Sequence, residues 1–367
     1  MIIHSIETFS VAVPLTKPFK TALRTVTIAE SIFVKVTTED GETGWGEAPP
    51  THVITGDSMG SIQFAIEQVI GPQLLGLDLH HSERVFQKLH RSMVGNTSAK
   101  AALDMALHDL IGKLAGLPLV TLLGGYRDTL ETDFTVSVND AIEMAADAAN
   151  YVAKGFNVLK IKVGIDDIAK DVERIRAIRE EIGYETKLRL DANQGWEAKE
   201  AVRAIGQMED AGLDIELIEQ PVKAHDIEGL QHVTLHTHTP IMADESVFSP
   251  KDALRVLQLR AADLINIKLM KAGGIYNALK INALAESYGV ECMTGSMIET
   301  KLGISAAAHF AASQPNVTRF DFDAPLMLAE DIVEGGVVYD GRLIRFSKEP
   351  GLGLHTDLMN KRFTSKG

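Results

Sequence analysis

From residue 133 to residue 321 the chain repeats one pattern, a short apolar run followed by a helix-like stretch. The runs fall at 133–138, 157–163, 186–191, 215–219, 240–244, 262–268, 290–294 and 317–321, and one helix-like stretch separates each from the next. Parallel neighbours in a sheet need a long crossover, usually a helix. Strand and helix signals in alternation therefore predict a parallel sheet. Eight repeats predict that it closes into a barrel, with the strand ends gathered around one mouth. No eighth helix is evident after 321.

The region before this repeat reads differently. Residues 2–13 and 30–38 alternate like strands, and Asp40-Gly41 marks a hairpin before a third strand around 44–46. Helical stretches follow near 58–70, 80–91 and 97–115. Thr97 or Ser98 is the expected cap of the last, and Gly116 with Pro118 ends it. The expectation is an α/β fold: an α+β capping domain over 1–125, a (β/α) barrel (a modified TIM barrel) over 126–321, and a segment 322–367 returning to the cap. The polar end, 360–367, is expected to fray.

Bulk properties narrow the partners. A net charge of −14 argues against nucleic acid. Cys292 is the only cysteine, which fits a reducing compartment. No apolar stretch is long enough to span a membrane, and the strand-like N-terminus lacks the basic start of a signal peptide. A cytoplasmic location is expected.

Charged residues close five of the apolar runs: Lys162 (LKIKVG), Asp191 (LRLDANQGW), Glu219 (ELIEQP), Asp244 (IMADES) and Lys268 (LINIKLMKAGG). The steps between them are 29, 28, 25 and 24 residues, close to one strand-plus-helix unit. On a barrel, three carboxylates would converge on a hard divalent cation, with two lysines facing each other across it. Side chains alternate along a strand, so Lys160 shares a side with Lys162, and Asn266 with Lys268. Singly, each has an ordinary reading: solvated edge-strand lysines, a helix-capping or turn aspartate, loop acids. Lysine is rarely buried without a partner, and acids at matching positions on later strands favour the joint reading. Glu245 should point away from Asp244 and is read as supporting the acids from behind or as structural. Trp45 and Trp196 read as packing, Met270, Met293 and Met297 as mouth or core, and His232, His236 and His238 as a helix face and its end.

Such a set suits removing a proton next to a carboxylate and returning it from the other face. Loss of that proton builds a second negative charge, which a divalent cation stabilises more in the transition state than in the ground state. The base must be tuned as well: lysine, ordinarily near pKa 10.4, works best lowered to roughly 7–8. Burial and a neighbouring ammonium, such as Lys160 beside Lys162, act in that direction, while the acids and the metal act in a direction set by the geometry.

Lys160-Ile161-Lys162, Asp191-Ala192-Asn193, Glu219-Gln220-Pro221, Asp244-Glu245-Ser246 and Lys268-Leu269-Met270-Lys271-Ala272-Gly273-Gly274 together resemble the muconate-lactonizing-enzyme subgroup of the enolase superfamily. The resemblance covers nearly the whole chain. The motifs are shared by muconate cycloisomerases, o-succinylbenzoate synthases, N-acylamino-acid racemases and dipeptide epimerases. The segments from Pro14 to Thr25, Ile54 to Ser58, Gly295 to Thr300 and Asp321 to Asp323 resemble the L-Ala-D/L-Glu epimerases. That resemblance implies an isomerase of murein-peptide metabolism that epimerises L-Ala-D-Glu and L-Ala-L-Glu by two-base 1,1-proton transfer. It implies Lys162 and Lys268 as acid and base, Lys162 acting on the R and Lys268 on the S substrate. It implies Asp191, Glu219 and Asp244 as Mg²⁺ ligands. Asp321 and Asp323 would hold the dipeptide ammonium, and Arg24 would meet the glutamyl carboxylate. Thr135, Lys160 and Ser296 would also contact substrate. The partner would be a small dipeptide, and a homo-oligomer is expected.

The residues agree with these implications. Asp321 and Asp323 close the eighth run on one side, where two carboxylates suit a cation. Arg24 lies in a loop between the first two strands, placed to close over the mouth and pair bidentately with a carboxylate. An N-acylamino-acid racemase or an o-succinylbenzoate synthase is the alternative on the same scaffold, but an acylated amine offers no ammonium to Asp321 and Asp323. A Schiff-base aldolase also needs a barrel lysine, yet leaves three acids unused.

Overall fold

A computed structural model describes residues 1–364. β1 (Ile3–Lys20), β2 (Thr25–Thr38) and β3 (Thr43–Ala48) form an antiparallel sheet in that order. The helix Thr97–Ala115 packs across it. Close approach is possible because β3 carries Gly46, where a Cβ would sit 1.9 Å from the Ala102 carbonyl oxygen. That helix starts at Asn96, whose side chain caps nothing; Asp57 from a separate loop accepts from the Ser98 N–H at 3.3 Å. The local sequence points to Thr97 or Ser98 instead, because a cap supplied from 41 residues away leaves no local signature. Gly116 ends the helix in the left-handed conformation (φ 65°).

A short β4 (Thr129–Glu131) leads into the barrel. Its eight strands are β5 (Phe134–Val136), β6 (Val158–Lys162), β7 (Lys187–Asp191), β8 (Ile215–Glu219), β9 (Ile241–Ala243), β10 (Leu264–Lys268), β11 (Glu291–Gly295) and β12 (Val317–Phe320), parallel and in sequential order. The Asp133 N–H donates to the Phe320 carbonyl at 3.2 Å, joining the first and last strands at the seam. All eight apolar runs are strands. Helices fill each of the seven gaps between them, two in the gap after β10, and several are started by Asp, Ser or Thr caps such as Asp140, Asp167, Ser249 and Thr300. Directly after β12, where an eighth barrel helix would stand, comes the four-residue helix Ala324–Met327. Leu159, Ile161, Leu188 and Leu190 face the helices and join the main core. The alternate positions, Lys160, Lys162, Arg189 and Asp191, are free to point into the barrel.

β13 (Val338–Asp340) and β14 (Leu343–Arg345) add to β4 as a small antiparallel sheet. The chain then runs along the first unit. Leu352 N–H donates to Asp109 at 2.8 Å, and the Phe363 ring packs against Phe9, Phe33 and Trp45. The polar end is therefore not frayed as far as it is described: Thr356–Arg362 is helical, and Phe363 anchors it. The expectation for residues 365–367 lies outside the described residues. Among the described residues no helix is long and apolar enough to cross a membrane.

His309, buried on the helix Lys301–Ser313, ties these parts together. Its Nδ1 accepts from the Val120 N–H at 2.8 Å, its ring lies 4.9 Å from that of Phe346, and it hydrogen-bonds the Leu352 backbone. Burial pushes the imidazole down to about 4. A group depressed on folding stabilises above its unfolded pKa and loses that contribution as pH falls through the folded value. Acidification from pH 6.5 to 4 should thus remove about 3 kcal/mol of stability through this residue alone. Urea unfolding at pH 7 and pH 4.5 checks it: His309→Gln should show a shallower acid loss than the parent, and equal losses would refute the assignment.

Candidate active site

The strand register sets the site. Lys162 pairs with Asp191, and Asp191 with Glu219, so β6, β7 and β8 end at one level. Asp244 follows β9 directly, and Lys268 ends β10 opposite Gly295. A Cβ at Gly295 would lie 3.1 Å from the Lys268 Cε, so a glycine leaves that lysine its room. Lys160, Lys162, Asp191, Glu219, Asp244 and Lys268 are all buried.

The charges are interlocked. Lys160 Nζ lies 3.0 Å from Asp191 Oδ2, 2.7 Å from Glu219 Oε2 and 2.8 Å from Asp321 Oδ2. Lys162 Nζ donates to Asp191 Oδ2 at 2.6 Å. Lys268 Nζ donates to Asp244 Oδ2 at 2.7 Å and lies 3.7 Å from Glu219 Oε1. Among the described residues no three acidic, histidine or cysteine side chains are gathered as a ready ligand cage; ammonium groups stand between the carboxylates. One cationic nitrogen nevertheless touches both Asp191 and Glu219, so these two acids can share a cation. Burial and the charge of Asp191 push the Glu219 carboxyl up to about 7. Asp191 goes the other way: burial would raise it, but Lys160 and Lys162 hold it well below the usual range. A divalent ion would relieve this crowding of acids, so the donor set fits one.

Lys268 corrects an expectation. Burial alone would lower it, but Asp244 and Glu219 outweigh burial and hold the ammonium above the ordinary lysine value. Lys160 is raised too, as Asp191, Asp321 and Glu219 overcome its burial. The direction in which the acids act depends on their distances from each ammonium, which the sequence does not carry.

Lys160, Lys162, Lys268, Thr135, Ser296, Asp321, Asp323 and Arg24 all line one pocket of about 540 Å³, open mouth included. Asp323 accepts from the Thr135 N–H at 2.6 Å, and burial with the nearby Asp321 pushes its carboxyl up to about 7. Ser296 Oγ donates to the Asp321 carbonyl at 3.4 Å. Arg24 reaches the same pocket from the turn between β1 and β2 and forms no ion pair among the described residues. Burial pushes its guanidinium down. An unpaired, largely buried guanidinium is poised for an acidic ligand. The sequence-derived residues thus converge without exception. Asn266, placed by the sequence on the side of Lys268, donates to Glu219 at 2.8 Å; the other supporting residues were missed, as Gln220 accepts from the Asp244 and Ser246 N–H groups and Lys271 lies against Asp244. The lone lysine in an otherwise apolar LMKA turn was the one available signal for Lys271.

Comparison with known proteins agrees with this geometry. Residues 4–124 match the mandelate racemase / muconate lactonizing enzyme N-terminal domain, and residues 143–360 match the enolase C-terminal domain-like family. The chain belongs to the mandelate racemase / muconate lactonizing enzyme family of the enolase superfamily. Within this family it is 64% identical to the L-Ala-D/L-Glu epimerase of Bacillus subtilis (strain 168) over 96% of this chain and 97% of that one. A substrate-liganded structure of the Bacillus subtilis epimerase superposes with a TM-score of 0.96 at 64% identity, covering 97% of this chain and 99% of that one. The family's dipeptide epimerase from Enterococcus faecalis V583, complexed with Mg and L-Leu-L-Tyr, gives 0.93 at 44% identity, covering 96% and 99%.

Proposed function

We propose that the protein is a Mg²⁺-dependent dipeptide epimerase acting on L-Ala-D-Glu and L-Ala-L-Glu. One observation carries this reading. In the eight-stranded order, β6 with Lys162 and β10 with Lys268 lie four places apart, half a turn of the barrel, and the three acid-bearing strands fill the interval. Opposed lysines suit inversion of a centre held between them. Lys162 takes the α-proton from one face, and Lys268 as ammonium supplies a proton to the other; the roles swap in reverse. Asp191, Glu219 and Asp244 would hold Mg²⁺, which when bound stabilises the second negative charge on the substrate carboxylate. Asp321 and Asp323, with Thr135 and Ser296 beside them, receive the substrate ammonium. Arg24 pairs with the side-chain carboxylate of the glutamyl residue.

Incubation with Mg²⁺ and L-Ala-D-Glu, followed by chiral separation, should yield both epimers. Equal or faster turnover of N-succinyl amino acids would favour an acylamino-acid racemase instead. Arg24→Met should raise KM for L-Ala-D-Glu by about 10–100-fold, the value of a hydrogen bond to a charged group. L-Ala-L-Ala, which has no side-chain carboxylate, should be handled as before. Parallel loss on both dipeptides in steady-state kinetics would count against this role for Arg24.

A further inference from the structure

Lys271 is a fully buried lysine that the proton transfer does not use. It sits in the short helix Leu269–Ala272, just past the end of β10. Its ammonium donates to three backbone carbonyls, those of Asp244, Val247 (3.1 Å) and Asn266 (3.0 Å). These use all three of its N–H bonds. The same nitrogen lies 2.7 Å from Asp244 Oδ1. The contact is an ion pair, and that oxygen has no other partner among the described residues. The other oxygen, Oδ2, faces Lys268 at 2.7 Å. Asp244 is thus divided: one oxygen is held at its back by a caged cation, and one is turned to the site.

We infer that Lys271 sets the metal selectivity of this site by leaving Asp244 a single oxygen for the cation. The inference rests on the reading of Asp244 as one of three acids facing Mg²⁺. A second cation reaching for Oδ1 would come up against the Lys271 ammonium. Mg²⁺ loses little by this, since it takes few carboxylate oxygens in strict octahedral geometry. Ca²⁺ prefers more oxygens and readily takes both from one carboxylate, so it is the ion excluded. Lys271 is a positioning residue, acting through Asp244.

Calorimetric titration of the protein and of Lys271→Met with Mg²⁺ and with Ca²⁺ tests this. Losing the ammonium charge changes both affinities alike, while freeing Oδ1 helps Ca²⁺ alone. The preference for Mg²⁺ over Ca²⁺ should fall by about tenfold or more, the scale of a lost outer-sphere partner. An unchanged ratio overturns the inference and leaves the three-acid site standing. Binding of neither ion by the parent protein overturns the three-acid site itself, and the inference with it. A crystal structure of the unsubstituted protein grown with Ca²⁺ decides the matter should Lys271→Met not fold. Asp244 is expected to reach the ion through Oδ2 only, with Lys271 still on Oδ1; both oxygens on the ion would refute it.

Discussion

Lys268→Ala should slow epimerisation of L-Ala-D-Glu and L-Ala-L-Glu alike by about 10³-fold or more, within the range of a positioned acid or base. Inversion needs a proton removed from one face and another delivered to the opposite face, so losing either amine stops both directions. The partial reaction should survive. An epimer whose α-proton faces Lys162 can still give it up and regain one from the same lysine, so deuterium from the solvent should enter that epimer alone. Lys162→Ala should show the mirror-image pattern. Lys268→Arg separates base chemistry from simple charge. A guanidinium keeps the positive charge beside Asp244 and Glu219 but does not deprotonate, so it should be as inactive as the alanine variant. An active arginine variant, or exchange into both epimers after loss of one lysine, would contradict the two-base reading.

Glu219→Gln should lower turnover by about 10³-fold, because loss of a cation's charge stabilisation is worth several kcal/mol at the transition state. Chelation by EDTA should do the same to the parent, reversibly. Among the three acids Glu219 is the cleanest to change. Its carboxyl, pushed up to about 7 by burial and Asp191, already sits near neutrality. Glutamine keeps its shape and can still meet Asn266. Asp191→Asn is a harsher test: Lys160 and Lys268, which touch Glu219, keep Asp321 and Asp244 as partners, whereas Asp191 is the acid that pairs with the buried Lys162 ammonium. Breaking a buried ion pair on one side costs about 3–5 kcal/mol, so that variant should also melt earlier. Thermal denaturation beside Mg²⁺-dependent rates separates the two effects. A Glu219→Gln enzyme with parental activity and unaltered Mg²⁺ dependence would remove Glu219 from the ligand set.

The barrel was legible because helices cover its outside. Leu159, Ile161, Leu188 and Leu190 had to be apolar to pack on them, so any charge in the same runs had to point inward. That logic places Lys160, Lys162 and Asp191 on the inner face from the alternation of the runs alone. Spacing of one strand-plus-helix unit then carried Glu219, Asp244 and Lys268 to the same mouth. What sequence could not deliver is pairing. Whether Lys160 lowers its neighbour or is itself raised depends on the acids within hydrogen-bond distance, and three of them lie within 3.0 Å. The Asp57 cap and the His309 contact were illegible for a similar reason: both act across the fold, not along it. Phe363 was hidden in a polar tail, where a lone aromatic carries no periodicity.

Proton NMR of L-Ala-D-Glu with the Mg²⁺-loaded protein in D₂O addresses the opposed-amine arrangement most directly. The glutamyl α-proton signal should vanish from substrate and product, and the vanishing should depend on Lys162 and Lys268 in opposite stereochemical senses. Epimerisation without deuterium entry, or no α-exchange with any dipeptide in the presence of Mg²⁺, would contradict it.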